Sequence, residues 1–270
     1  MVDTIERFDL WHKRYDSWKT RHGSGSAEGL ENYPFVENSI SSFTPLRRSL
    51  PMLNLAVITS AGAYIDGTEP FDTNAADGDP TFREIPSEIN LSDLRFSARG
   101  YDPSFVQQDP NVEVPLERLS EFRSNRIIGQ FNSAFWSFCG FVPDAGLLVS
   151  DLIPRLVSRL TRYEVQAAFL IPASRLCHQS VALVARGIES AGIPTVMLGV
   201  ERELLEGPKP PRGAFYEGKF GSVAGSPNWP EHQRRVLDEA LRWLEPFGEP
   251  GIRKLSVGLE SQVEAARGER

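Results

Sequence analysis

Val165-Gln166-Ala167-Ala168-Phe169-Leu170-Ile171 and Thr195-Val196-Met197-Leu198-Gly199-Val200 are the runs whose reading decides the fold. Both are continuously apolar rather than alternating, the texture of strands covered on both faces, as in a parallel sheet. Between them Val181, Val184, Ala185 and Ile188 recur on one helix face, and Gly192 supplies a C-terminal stop. The spacing predicts a helix over Gln179–Ala191. Strand, helix and strand in this order form a βαβ unit, which crosses over right-handed.

Working outward, Leu55-Ala56-Val57-Ile58-Thr59 has the same continuous texture and runs into Ser60-Ala61-Gly62-Ala63. A further strand is expected at Gly213–Glu217, followed by Gly218, Gly221 and Gly225. A helix is expected from Pro230 to about Glu245, with Val236, Leu237, Ala240, Leu241 and Leu244 on one face. Asp66 to Asn111 is turn-rich and acidic and reads as loops at a sheet edge, with a short strand near Leu94–Ala98; Leu116–Phe122 reads as a short helix. Near the start, Phe8, Trp11, Tyr15 and Trp18 form an aromatic stripe at helical spacing, the pattern of a helix packed onto the body or onto a second subunit. Gly23-Ser24-Gly25-Ser26 reads as a flexible joint. The expected class is α/β: a mainly parallel sheet with helices on both faces, built from βαβ units and preceded by an N-terminal helical extension. Residues 1–50 are that extension and its linker, 51–260 the α/β body, and 261–270 a frayed tail. The body divides alternatively into two α/β halves meeting near residues 140–150.

Composition narrows the function. A formal charge of −7 leaves no basic face for nucleic acid or an anionic membrane. No run approaches the roughly 20 apolar residues that span a bilayer. Two cysteines make no disulfide framework, and nothing resembles a secretory leader, so a reducing cytoplasm is the expected compartment. G-x-G-x-x-G after a strand, a Walker A loop and a G-x-S-x-G elbow are all missing, and no organic cofactor is expected. Four histidines and two cysteines are too scattered for zinc. The acids Asp66, Asp72, Asp77, Asp79 and Glu84 fail the EF-hand template, because Asp77 occupies the glycine position counted from Asp72. No metal site is expected.

In an open parallel sheet, ligands bind beyond the carboxyl ends of the strands. That rim receives Ser60–Gly67, Pro172–His178 and Gly218–Pro227. The middle loop carries Ser174-Arg175-Leu176-Cys177-His178. Cys177 at a helix N-terminus, with Arg175 and His178 nearby, is set up to favour the thiolate. The residues alone leave a reactive thiolate and a buried, inert thiol both open, and His178 reads as a cap or packing residue as readily as a catalyst. Cys139, in Phe135-Trp136-Ser137-Phe138-Cys139-Gly140, reads as core. The candidate catalytic set is Cys177, Ser174 and His178; the candidate substrate-binding set is Arg175, Ser60, Tyr64 and Ser222.

Several segments together resemble the glycine/sarcosine/betaine reductase selenoprotein B and D-proline reductase family. They are Phe43-Thr44-Pro45-Leu46-Arg47, Val57–Gly62, Gly78–Pro86, Tyr101-Asp102, Asp109-Pro110-Asn111, Pro115–Leu119, Cys177–Val181, Ala191–Thr195 and Gly221–Arg235. The resemblance implies a loop holding selenocysteine or cysteine, two residues, then cysteine. There a selenium nucleophile cleaves a C–N bond reductively, usually beside a partner subunit bearing a pyruvoyl carbonyl. Laid on this chain, the second member is Cys177 and the first is Ser174, whose hydroxyl has neither the acidity nor the redox chemistry of a selenol. Gly100 and Trp136 stand near where the family pattern has histidines. The implied function is an enzyme acting on a small amino acid or amine with chemistry altered by loss of selenocysteine, in a homo-oligomer and with room for a second subunit. The alternative is a non-catalytic homologue that binds a partner or ligand, docking through the Trp11/Trp18 helix.

Overall fold

A computed structural model describes residues 4–22, 30, 32–245 and 249–257. The expected joint at 23–26 and tail at 261–270 lie outside them. The chain opens with α1 (Phe8–His22); a 3-10 turn at Leu50–Met52 leads into β1 (Asn54–Thr59), which is followed by β2 (Ala63–Ile65). Next come β3 (Phe82–Pro86), β4 (Leu94–Phe96), α2 (Ser104–Gln108), α3 (Leu116–Ser124), β5 (Gln130–Phe131) and β6 (Ala134–Phe138). A helical stretch follows, α4 (Ala145–Leu147) passing through a wide turn at Leu148–Leu152 into α5 (Ile153–Arg162). The remainder is β7 (Ala167–Ile171), α6 (Arg175–Ser190), β8 (Thr195–Gly199), α7 (Glu203–Glu206), β9 (Arg212–Phe215), α8 (Pro230–Arg242) and β10 (Gly251–Lys254).

The main sheet runs β10-β9-β8-β7-β1-β6-β3, with β5 also beside β1. Every pairing is parallel except that of β3 with β6. Two apolar layers cover it. Ala56 and Ile58 of β1, Ala168 and Leu170 of β7 and Trp136 of β6 face α5, α6 and α1. Leu55, Val57, Phe169, Val196 and Leu198 face α3 and α8. This double cover explains why the strand sequences are continuously apolar.

From β1 the chain reaches β6 on one side, then crosses β1 to β7 and proceeds outward through β8, β9 and β10. The reversal lies between β1 and β7, and a crevice opens at such a switch point beyond the carboxyl ends of the strands. Ser60 follows β1 there, and Ser174 follows β7.

Four local expectations change. Helix α6 begins at Arg175, not Gln179, because Ser174 caps it. Phe82–Pro86, read as loop, is an edge strand: Glu84 accepts from Arg159 of α5 at 2.8 Å and from Trp136 Nε1 at 3.3 Å, which accommodates its charge. Leu94–Phe96 pairs with β2 in a separate antiparallel ribbon instead of joining the main sheet edge. Trp11 and Trp18 are buried in the chain's own core, with Tyr15 stacked on Trp11 and Trp11 Nε1 donating to Pro34 O at 2.7 Å. Their faces are therefore spent on this body and are not free for docking.

Helix α6 is tied down along its length by the segment before β1. Gln179 accepts from Val36 N and donates to Tyr33 Oη, and Arg186 donates to Ile40 O. Glu189 receives Thr44 N, Thr195 N and Arg212. The helix that carries Cys177 is thus fixed at both ends.

Candidate active site

Ser174 leaves β7 with extended backbone (φ −133°, ψ 176°) and caps α6. Its Oγ accepts from Cys177 N at 3.2 Å and donates to Cys177 Sγ at 2.9 Å. Ser60 joins three strand ends. Its Oγ accepts from Ala173 N, its N donates to Ile171 O, and its carbonyl accepts from Gly140 N, each at 3.0 Å. The Cys177 thiol lies 4.0 Å from that same carbonyl.

Packing here leaves no spare volume. A Cβ on Gly140 would sit 2.3 Å from Ser60 Cβ and 3.0 Å from Cys177 Sγ. A Cβ on Gly100 would reach Phe141 at 2.4 Å and Ser174 Oγ at 3.3 Å. Ala61, Ala173 and Cys177 form a small buried cluster under Phe96 and Tyr101. Tyr101 Oη donates to Ala61 O at 2.6 Å, and Gly221 N donates to Ala173 O at 2.8 Å. The Gly100-Tyr101 and Gly221 segments thereby form the roof over the cysteine.

The electrostatics differ from the expectation of an activated thiolate. Cys177 is fully buried, and burial pushes its thiol up, against the opposing pull of the Ser174 hydroxyl. Arg175 turns outward, 3.7 Å from Glu201, with its side chain about half exposed. His178 is buried with both ring nitrogens engaged: Nδ1 pairs with Ser174 O at 2.7 Å, and Nε2 accepts from Val200 N at 3.3 Å. That pattern fixes the neutral tautomer with the proton on Nδ1. Burial, reinforced by Arg175, lowers its pKa to about 4. It braces the loop after β8 against α6.

The fold brings Ser60, Ser174, Cys177 and His178 together. Ser222 comes into the roof loop, but its Oγ donates to Gly225 O within that loop. Tyr64 stands half-buried on the β2–β4 ribbon; among the described aromatics on the cysteine cluster are Phe96 and Tyr101, not Tyr64. Sequence reasoning gave no role to Tyr101 or Gly140 and read Cys139 as core, where the fold buries it. The signals available were the Tyr101-Asp102 pair and the glycine directly after Cys139. Among the described residues, no group of three or more His, Cys, Asp or Glu is placed to hold a metal ion. The acidic loop spends its carboxylates internally: Asp79 on Thr81 and Asp72 N, Asp77 on Lys19 and Tyr15, and Asp66 on Arg95. No described helix is long and apolar enough to cross a membrane.

Comparison with known proteins gives no matching family model and no similar solved structure. Among curated proteins, the chain is 28% identical over 202 residues to D-proline reductase subunit gamma of Acetoanaerobium sticklandii, spanning 75% of this chain and 82% of that one. It is 26% identical over 157 residues to sarcosine reductase complex component B subunit beta of Peptoclostridium acidaminophilum, spanning 57% of this chain and 36% of the relative. It is 22% identical over 157 residues to glycine reductase complex component B subunit gamma of Symbiobacterium thermophilum, again 36% of the relative. Against the latter two, the chain accounts for about a third of the relative's length. This chain is a distant homologue of subunits of amino-acid reductases.

Proposed function

We propose that the chain is a reductase-type enzyme subunit acting on a small amino acid or amine in the cytoplasm, with Cys177 as its reactive group and a second subunit completing the site. The observation that carries this reading is the Ser174–Cys177 pair in the first turn of α6, at the sheet's switch point, in a distant homologue of D-proline reductase gamma. On this reading Ser174 occupies the position of the redox partner and serves as a hydroxyl donor. The N-terminal N–H groups of α6 and the Ser174 hydroxyl stabilise the Cys177 thiolate once substrate or water displaces the roof. Ser60 and His178 act as positioning residues, since their polar atoms already bind the backbone. Arg175 reaches a substrate carboxylate only by leaving Glu201, and Ser222 reaches one only by leaving Gly225 O; Tyr64, on the β2–β4 ribbon, would contribute only to a substrate that extends that far.

Turnover of D-proline, glycine, sarcosine and betaine with a dithiol reductant, with and without added partner subunits, tests the reading. Cys177→Ala abolishes turnover if the assignment is right; undiminished activity in the variant removes Cys177 from the mechanism. A second reading, a non-catalytic binding subunit, draws on the complete burial of Cys177 and on the hydroxyl at 174. Alkylation kinetics of the native thiol separate the two. Substrate-accelerated labelling of Cys177 belongs to the enzyme, and a thiol inert until global unfolding belongs to the binding subunit.

A further inference from the structure

Glu113 follows the turn at Pro110–Val112 and is fully buried, with no cation paired to it among the described residues. Its Oε1 accepts from Val223 N at 3.1 Å, and its Oε2 has no hydrogen-bond partner among the described residues. Val223 belongs to the roof. Two residues earlier, Gly221 N donates to Ala173 O beside the cysteine, and a Cβ on Gly221 would lie 2.9 Å from the Tyr101 ring. Ala224 N donates to Val112 O at 2.7 Å, and Tyr216 Oη donates to Val223 O at 3.0 Å. One short segment, Gly221–Ala224, thus rests on the Cys177 loop through its first residue and on the Glu113 turn through its last two. Lifting it from the cysteine takes away the single described hydrogen bond of the Glu113 carboxyl and admits water to it.

We propose that Glu113 is a proton-operated latch: its protonated form holds the Gly221–Ala224 segment over Cys177, and loss of that proton releases the segment. This regulation rests on the reading of Cys177 as the reactive group. Closed, burial raises the carboxyl well above 4.5, against the pull of the Val223 N–H. Open, it meets water and titrates as an ordinary carboxylate. The closed form therefore keeps a proton that the open form sheds. Closure is strongest below pH 4.5, and as pH rises toward the raised value the open fraction grows about tenfold per unit.

Neighbouring groups do not supply this slope. Burial and then the Glu113 charge raise both Tyr101 and Tyr216, which stay neutral hydroxyls. Asp109, before the same turn, is lowered despite its burial by Gln233 and Asn228 and stays ionised. Arg118 of α3 pairs with Glu117 and Glu121, and Lys219 of the roof lies over the Phe105 ring. His232 of α8 works the other way: its Nδ1 accepts from Ser226 N, so protonation at low pH frees the loop.

Iodoacetamide labelling of the full-length protein tests the latch, with Cys177 read from the tryptic peptide 176–186 by mass spectrometry. At low reagent concentration the rate is the open fraction multiplied by the reactivity of the open thiol. The thiol alone gains about tenfold per pH unit below its own pKa, so wild type should gain about a hundredfold and Glu113→Gln about tenfold. The amide keeps an oxygen for Val223 N and cannot ionise. From about pH 5 upward, until the raised carboxyl value is reached, the ratio of wild type to variant should climb about tenfold per unit. The rates should be indifferent to low urea, which separates lifting of the roof from global unfolding. Should Glu113→Gln fail to fold, the wild-type slope alone decides, and a gain of only about tenfold per unit overturns the latch. Parallel slopes, a urea-dependent rate, or an excess slope that vanishes in His232→Gln overturn it as well. Turnover enters none of these readouts. A latch without turnover rejects the reductase reading alone; Cys177-dependent turnover with parallel slopes rejects the latch alone.

Discussion

Gly140→Ala probes the packing on which the candidate site depends. Gly140 is not among the glycines with positive φ, so its backbone admits an alanine without strain. Removing glycine freedom from the unfolded chain should then stabilise by about 0.4–1 kcal/mol. Opposing this, the new methyl would lie 2.3 Å from Ser60 Cβ and 2.9 Å from Ser60 Oγ. Ser60 Cβ cannot swing away as the tip of a long side chain can, so the ends of β1 and β6 must separate. Overpacking of this kind costs about 1–3 kcal/mol, and a contact this short belongs in the upper part of that range. Crowding wins, leaving a net loss of about 1–2.5 kcal/mol. For a chain of this size the midpoint of thermal unfolding falls by about 2–10 °C. The same movement pulls Ser60 Oγ from Ala173 N and loosens the loop holding Ser174, so Cys177 should react faster with a thiol reagent. Gly192→Ala is the control: its φ of +89° adds backbone strain, but nothing lies within 4 Å of the new methyl, and thiol kinetics should not change. A Gly140→Ala protein melting with the native one, with unaltered thiol kinetics, would refute the packed switch point.

His178 is neutral and buried, with a pKa of about 4 against 6.5 unfolded, so the unfolded state binds the extra proton between those values. Its stabilisation is complete above pH 6.5 and declines as pH falls toward 4. The gap amounts to about 3 kcal/mol at 1.36 kcal/mol per pH unit, and denaturant titrations of His178→Gln should lack that slope. Burial raises the Glu113 carboxyl well above its usual range, and Oε2 has no hydrogen-bond partner among the described residues. The folded state favours its protonated form, so wild-type stability drains as pH rises past 4.5; Glu113→Gln should gain relative to wild type with rising pH and match it near pH 4. Trp18→Ala should cost about 3–5 kcal/mol in chemical unfolding while leaving the elution volume on size exclusion unchanged, because Trp18 fills this chain's own core. Arg212→Met leaves Glu189, paired at 2.6 Å and fully buried, without its cation. A loss of about 3–5 kcal/mol is expected, only partly recovered when Glu189→Leu is added, because Thr44 N and Thr195 N then lose their acceptor.

The runs at Leu55–Thr59, Val165–Ile171 and Thr195–Val200 were legible because a strand covered on both faces must be apolar at every position. Phe82–Pro86 was not, because Arg83 and Glu84 read as solvent-facing; the ion pair from Glu84 to Arg159 comes from a helix far along the chain. Phe135–Cys139 read as generic core, since an aromatic run alone does not reveal pairing with β1. The Ser174–His178 turn was found from a local strand-to-helix change. Tyr101 and Gly140 reach it from separate segments, and nothing in their own neighbourhoods ties them to that turn. The expected help from Arg175 fails for a reason visible in the helix itself: residues two apart do not share a face, so a cation at 175 points away from a thiol at 177.

Reactivity at Cys177 therefore depends on the roof rather than on neighbouring charge. With the chamber closed, burial outweighs the Ser174 hydroxyl and the helix N-terminus, and the sulfur stays protonated. The polar ties from the roof to the cysteine's own loops are Tyr101 Oη to Ala61 O and Gly221 N to Ala173 O, while Tyr216 Oη, Glu113 and Val112 O hold the Gly221 loop from its other side. Bonds of this type contribute about 0.5–1.5 kcal/mol each, small beside the stability of a domain. Ser60, Ala173 and Gly140, by contrast, are cross-linked within the sheet and α6 is tied at both ends, so the floor stays in place when the roof lifts. A substrate or partner that takes over the Ala61 and Ala173 carbonyls from Tyr101 and Gly221 would admit polar groups to the sulfur and remove the burial that suppresses its ionisation. On the proposed assignment, the same packing that keeps the thiol protonated makes activation conditional on an occupant.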